Sequence, residues 1–120
     1  MPKSAAAKEP VYEECLEMMR PIRDALDVVS GKWKLRIIAS LTVENKRFRQ
    51  MAKEIVGITD KMLSKELKDL ETNQLIKRSV YDTFPPTVEY SITEHGRSLR
   101  PVIFALRDWG NEHRKQVIGK

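Results

Sequence analysis

A chain of 120 residues, 41% apolar and 32% charged, is long enough to bury one core and too short to hold two comfortably. Its single cysteine excludes an internal disulfide and fits a reducing compartment. The net charge of +5 suits nucleic acid or an anionic membrane surface as partner without choosing between them.

The opening MPKSAAAKEP lacks the apolar stretch of a secretory signal and reads as a disordered tail over residues 1–10. Apolar clusters such as Ile37-Ile38-Ala39 fall far short of a membrane span, so the expected location is the cytoplasm. A single domain is expected over 11–118. Val11, Cys15, Met18 and Met19 recur at roughly helical spacing, and Pro21 either interrupts this helix or opens the next. Ile22, Ala25, Leu26 and Val29 mark a second amphipathic helix, which ends at SGKW with Ser30 placed to cap the third. KWKLRIIASLTVE carries Trp33, Leu35, Ile37, Ile38 and Leu41 in a wide apolar stripe, the pattern of a central helix.

ENKR reads as a loop, and RQMAKEIV as a short helix with Met51, Ala52 and Ile55 facing inward. Gly57 suits a left-handed turn, because a residue without a Cβ takes that geometry cheaply. Thr59 suits an N-cap, Asp60 favours the positive end of the helix dipole, and Ile58 with Leu63 forms a hydrophobic staple. The helix from Thr59 to Asn73 buries Leu63, Leu67 and Leu70 on one side and holds Lys61, Ser64, Lys65 and Lys68 on the other. After ETNQ the period becomes two: Ile76, Arg78 and Val80 share one face, as do Val88, Tyr90 and Ile92. DTFPPT turns between these runs, which makes a β-hairpin. Thr93-Glu94 starts a last helix that Pro101 kinks or splits. Its positions Leu99, Val102, Ile103, Leu106 and Trp109 form a face wider than one small domain needs, the mark of a dimer surface.

The expected fold is therefore mainly α with a small β-hairpin wing. It is a winged helix-turn-helix, with the helix pair at about 49–73, the wing at about 76–92, and helical dimerisation elements at both termini. Residues 46–80 hold nine basic and five acidic residues, so four of the five net charges fall in this third. Lysines supply phosphate affinity, whereas base reading needs hydrogen-bonding groups such as Ser64; no arginine, asparagine or glutamine precedes Asn73 on that helix. Arg47 and Arg49 flank a core Phe48 and either clamp phosphate or pair with acidic neighbours. Lys32, beside a buried Trp33, reaches phosphate. Cys15 lies among Leu16, Met18 and Met19 and reads as a structural or interface thiol rather than a sensor. His95 and His113 have no metal-ligand spacing, and neither a nucleophile motif nor a phosphate-binding glycine loop is present, so no enzyme, metal or cofactor is expected. A protein-interaction adaptor that kept the fold without specific DNA binding is the alternative.

Five blocks, PIRDALDVVSGKW, RFRQM, GITDKMLSKELKDLETNQLIKR, VYDTFPPTVEYSITEHGRSLRPV and ALRDWG, resemble in order and spacing the HxlR-type transcriptional regulators of bacteria. Those are small winged-helix proteins related to the MarR group, and the resemblance runs from about Pro21 to about His113. It implies a homodimeric, sequence-specific regulator on a palindrome-like operator, with double-stranded DNA and a second copy as partners. An unidentified small-molecule effector stays an open alternative. It further implies DNA contact by Thr59, Asp60, Lys61, Ser64, Lys65 and Lys68 and by the wing around Thr83 to Thr87. The terminal helices would form the dimer interface, with Val11, Cys15, Leu16 and Met19 joining the face from Leu99 to Trp109. Two positions depart from the pattern. Many relatives carry a cysteine where Arg20 precedes Pro21, so their thiol switch does not transfer to Cys15. Relatives often place a basic residue where Thr87 stands, which leaves that phosphate contact weaker or transfers it to Lys77 or Arg78.

Overall fold

The structure is a computed structural model that describes residues 12–119; the expected tail and Val11 lie outside the described residues. The described chain divides between Ser30 and Gly31 into two compact units. The first is α1 (Tyr12–Val29), a single helix with Pro21 inside it where a break was expected. Proline removes one backbone donor, and on this exposed helix water can solvate the carbonyl left without it.

The second unit runs α2 (Lys34–Val43), α3 (Phe48–Glu54), α4 (Asp60–Thr72), β1 (Ile76–Tyr81), β2 (Thr87–Ile92), α5 (Glu94–Arg97) and α6 (Arg100–Val117). This is the mainly helical, hairpin-bearing order that the periodicities predict. Ser30 does not cap α2. Its hydroxyl donates back to the Asp27 carbonyl at 3.4 Å, and Trp33 stands at the N-cap without a side-chain bond.

The core follows the two apolar stripes. Ile37, Ile38 and Leu41 of α2 meet Leu63, Leu67 and Leu70 of α4, with Met51, Ile55, Leu75 and Ile76 closing around them. Each such side chain taken out of water contributes about 2 kcal/mol. The end of α4 fixes two of these. Leu75 N donates to Leu70 O at 3.0 Å and Gln74 N to Glu71 O at 2.9 Å, with Gln74 left-handed at φ 63°. That closure brings Leu70 and Leu75 together inside the core.

β1 and β2 pair antiparallel with Ile76 opposite Ile92, Arg78 opposite Tyr90 and Val80 opposite Val88, the faces that the alternation predicts. The ENKR stretch is more than a loop. Lys46 exchanges both backbone bonds with Tyr90, at 3.0 and 2.8 Å, and adds a rung beside the hairpin. The last helix splits as expected, with Leu99 as N-cap of α6 and Pro101 in its first turn.

Gly96 explains how tightly α5 seats. Thr93 caps that short helix by accepting from Gly96 N at 2.9 Å, while its own N–H donates to Leu75 O at 3.1 Å and its hydroxyl to Gln74 O at 2.7 Å. A Cβ at position 96 would stand 2.2 Å from that same Leu75 oxygen and 2.7 Å from Ile92 Cγ1. The first neighbour is backbone and cannot swing away. Gly96→Ala should therefore lower stability by about 2 kcal/mol, read as a drop in the urea midpoint without a change in slope.

Candidate nucleic-acid interface

The helix pair is built around its turn. Gly57 is left-handed at φ 93°, and a Cβ there would lie 3.6 Å from the Trp33 ring, so the buried indole backs the turn directly. Thr59 Oγ1 accepts from Met62 N at 3.1 Å, the N-cap that its position predicts. From that start α4 turns Leu63, Leu67 and Leu70 inward and leaves Lys61, Ser64, Lys65 and Lys68 exposed. Those four recur at i, i+3, i+4 and i+7, so they form one stripe.

The exposed stripe is tied to the core by a residue that sequence reasoning passed over. Lys34 of α2 is buried, with Nζ 2.6 Å from a Glu66 oxygen and 3.4 Å from Asp69. Burial opposes its charge, but Glu66 and then Asp69 outweigh that and hold the ammonium above its ordinary value. Asp69 also accepts from Lys65 at 3.0 Å. Lys65 first and Lys34 second keep the Asp69 carboxyl below the usual carboxylate range. A signal was present: Lys34 lies at helical spacing from Ile37, Ile38 and Leu41, and Glu66 from Leu63 and Leu70.

Not all of the central positive charge faces outward. Lys46 is buried, donating to Ser40 Oγ at 2.9 Å and to Glu54, one of whose oxygens lies at 2.8 Å. Lys46, and behind it Ser40, holds the Glu54 carboxyl low. Arg49 of α3 reaches across the turn to Asp60, with Nη2 to Oδ2 at 2.7 Å and Nη1 to Oδ1 at 3.4 Å. Of the nine basic residues between 46 and 80, Arg47, Lys53, Lys61, Lys68, Lys77 and Arg78 have no described carboxylate partner. Lys32 Nζ and the Arg36 guanidinium each lie 5.0 Å from the Trp33 ring centre, so Lys32 is attracted to the indole.

On the wing, Lys77 and Arg78 are exposed on opposite faces of β1. The Thr83 and Thr87 hydroxyls lie 2.8 Å apart, and Thr83 also donates to Pro85 O at 2.8 Å, which closes the tip. Phe84, inside the wing segment expected to contact DNA but not singled out there, projects from that tip with 92% of its surface exposed. A lone aromatic inside a turn segment gives no periodicity by which its exposure could be foreseen.

The residues assigned to a dimer face are divided. Cys15, Leu16 and Met19 are exposed on α1; Val102, Leu106 and Trp109 are exposed on α6, whereas Leu99 and Ile103 are half-buried. Trp109 stacks on His113 with ring centres 4.8 Å apart. A cavity of about 270 Å³ opens between α2, α5 and α6, lined by Ile38, Thr42, Ile103 and Phe104 with Arg97 and Arg100. That volume stands near the lower end of small-molecule sites. No helix among the described residues is long and apolar enough to cross a membrane.

A family model described as HxlR-like helix-turn-helix matches residues 28–118. An uncharacterized HTH-type transcriptional regulator of Bacillus subtilis (strain 168), YdeP, is 41% identical over 97 residues, 81% of this chain and 76% of its own. Among solved structures, the redox regulator HypR in its reduced form is similar with a TM-score of 0.75 and 36% identity. That match covers 83% of this chain and 99% of the other. The reduced form of the transcriptional regulator YodB from B. subtilis gives a TM-score of 0.71 at 31% identity, over 82% and 92% of the two chains.

Proposed function

The chain belongs to the HxlR-like helix-turn-helix family of transcriptional regulators, and from that premise we propose that it acts as a homodimer on a palindrome-like operator, inserting α4 of each copy into a major groove. The observation that carries this is the lysine stripe of α4. It is exposed, opposite a fully buried leucine stripe, and capped at the end that would enter first. Lys61, Ser64, Lys65 and Lys68 then meet DNA, while Arg47, Lys77, Arg78 and the Thr83 to Thr87 tip lie on flanking backbone. Thr59 and Asp60 sit at the leading end of the helix. Lys32, drawn to Trp33, supplies a phosphate contact beside the turn.

Lys65 and Lys68 contribute unequally in this reading. Lys65 is already neutralised by Asp69, whereas Lys68 and Lys61 have no described carboxylate partner. Lys61→Ala and Lys68→Ala should each flatten the log–log dependence of DNA affinity on salt by about 0.9. Lys65→Ala should change it less. All three substitutions are on exposed side chains and should shift stability by no more than about 0.5 kcal/mol. The measurement is fluorescence anisotropy against DNA from upstream of the protein's own gene, with unrelated competitor, at several salt concentrations. Affinity that is indifferent to salt and to all three lysines would favour the adaptor reading.

A further inference from the structure

We infer that Arg49, held in place by Asp60, is the residue that reads a guanine in each half-site. The inference rests on the DNA-binding reading above and gives it a planar, bidentate base-reading group that α4, with Ser64 and its lysines, lacks. Between Thr59 and Thr72 that helix offers no arginine, asparagine or glutamine, and its lysines are suited to phosphate.

Arg49 stands in α3 and Asp60 in the first turn of α4, eleven residues on, so their contact spans the turn of the helix pair. The two side chains are 70% and 57% exposed. An ion pair this exposed adds little to stability, so the fold gains little by keeping it. At the leading end of a groove-binding helix it has clear uses. A lone carboxylate there would repel phosphates, and Arg49 cancels that charge. In return the carboxylate engages Nη1 and Nη2 and fixes the plane of the guanidinium, whose remaining N–H groups stay exposed. The Phe48 ring, 5.4 Å from Arg49 Cζ, supports the same side chain from its own helix. A planar, preoriented fork of donors matches the O6 and N7 acceptors of guanine in the major groove.

The test is selection from a randomised duplex library with the full chain, followed by anisotropy on the selected duplex. Wild-type protein should enrich a motif with one fixed guanine in each half-site. Arg49→Ala and Asp60→Asn should both lose preference at that same base pair, with roughly tenfold to hundredfold less discrimination for Arg49→Ala. Unchanged melting curves would show that both variants are folded. If Arg49→Ala keeps the motif, weakens every sequence alike and flattens the salt dependence, Arg49 is a phosphate clamp. The inference then falls while DNA binding stands. If Asp60→Asn alone changes the base, Asp60 reads a cytosine directly and the inference also falls. If wild-type protein enriches no motif, the operator reading fails and takes the inference with it.

Discussion

Lys34→Met is expected to lower stability by about 3 kcal/mol, more than any single exposed lysine in the chain. The substitution keeps the apolar stem packed beside Ile37 and Ile38 but removes the ammonium that lies 2.6 Å from Glu66. The Glu66 side chain is only 13% exposed, so its charge is left with little water to replace the lost partner. The cost lies in the orphaned carboxylate and not in the missing attraction. Lys34→Met combined with Glu66→Leu should then recover most of the loss, and a double-mutant cycle by urea unfolding would show coupling of a few kcal/mol. Additive losses would mean that the pair is solvated and unimportant.

The same contact has a pH signature. The folded Lys34 value is raised, so its contribution is complete below the ordinary 10.5 and disappears as pH rises through the folded value. Wild-type protein should lose stability in that alkaline range, and Lys34→Met should lack this component. The sign is opposite for Glu54 and Asp69, whose values are lowered. Their contributions are present above the ordinary carboxylate range and are lost as pH falls through the folded values. Glu54→Gln should weaken the acid limb.

Features that depend on neighbours within one element are legible in the sequence. Leu63, Leu67 and Leu70 declare a buried face by spacing alone, Thr59 declares a cap, and the alternation at 76–80 and 88–92 sets the hairpin faces. Contacts across elements are less legible. A lysine count near Lys46 reads as surface charge because nothing local tells that its side chain turns in toward Ser40 and Glu54. Sequence alone leaves Arg49 between phosphate and an acidic neighbour, since the eleven residues to Asp60 include a turn whose geometry decides the matter. Pro21 carries less weight in the fold than its residue type suggests. Proline breaks a helix most surely where the freed carbonyl is buried, and here the surrounding side chains are exposed. Lys34 and Glu66 show the reverse case: both sit on predicted apolar faces, and a charge on an apolar face is itself a prediction of a partner.

Leu106→Glu should convert the protein to a monomer and reduce operator affinity by roughly a hundredfold or more. Val102, Leu106 and Trp109 recur at i, i+4 and i+7 on α6 and are 44%, 51% and 68% exposed, so one helix carries a stripe of large apolar side chains to its surface. If that stripe is the dimer surface, a carboxylate at its centre must be desolvated without a partner, a cost that two copies can avoid only by separating. A single α4 then engages one half-site. It forfeits the second contact, which in a dimer occurs at an effective concentration set by the protein itself. Half-sites about one helical turn apart, or a multiple of it, are the geometry that suits two such helices. Sedimentation equilibrium and operator anisotropy on the same preparation would connect the two effects, with Lys68→Ala as the control that weakens DNA contact while staying dimeric. A Leu106→Glu monomer that holds the operator as tightly as wild-type protein would show that one copy suffices, and the symmetric two-half-site model would have to be given up.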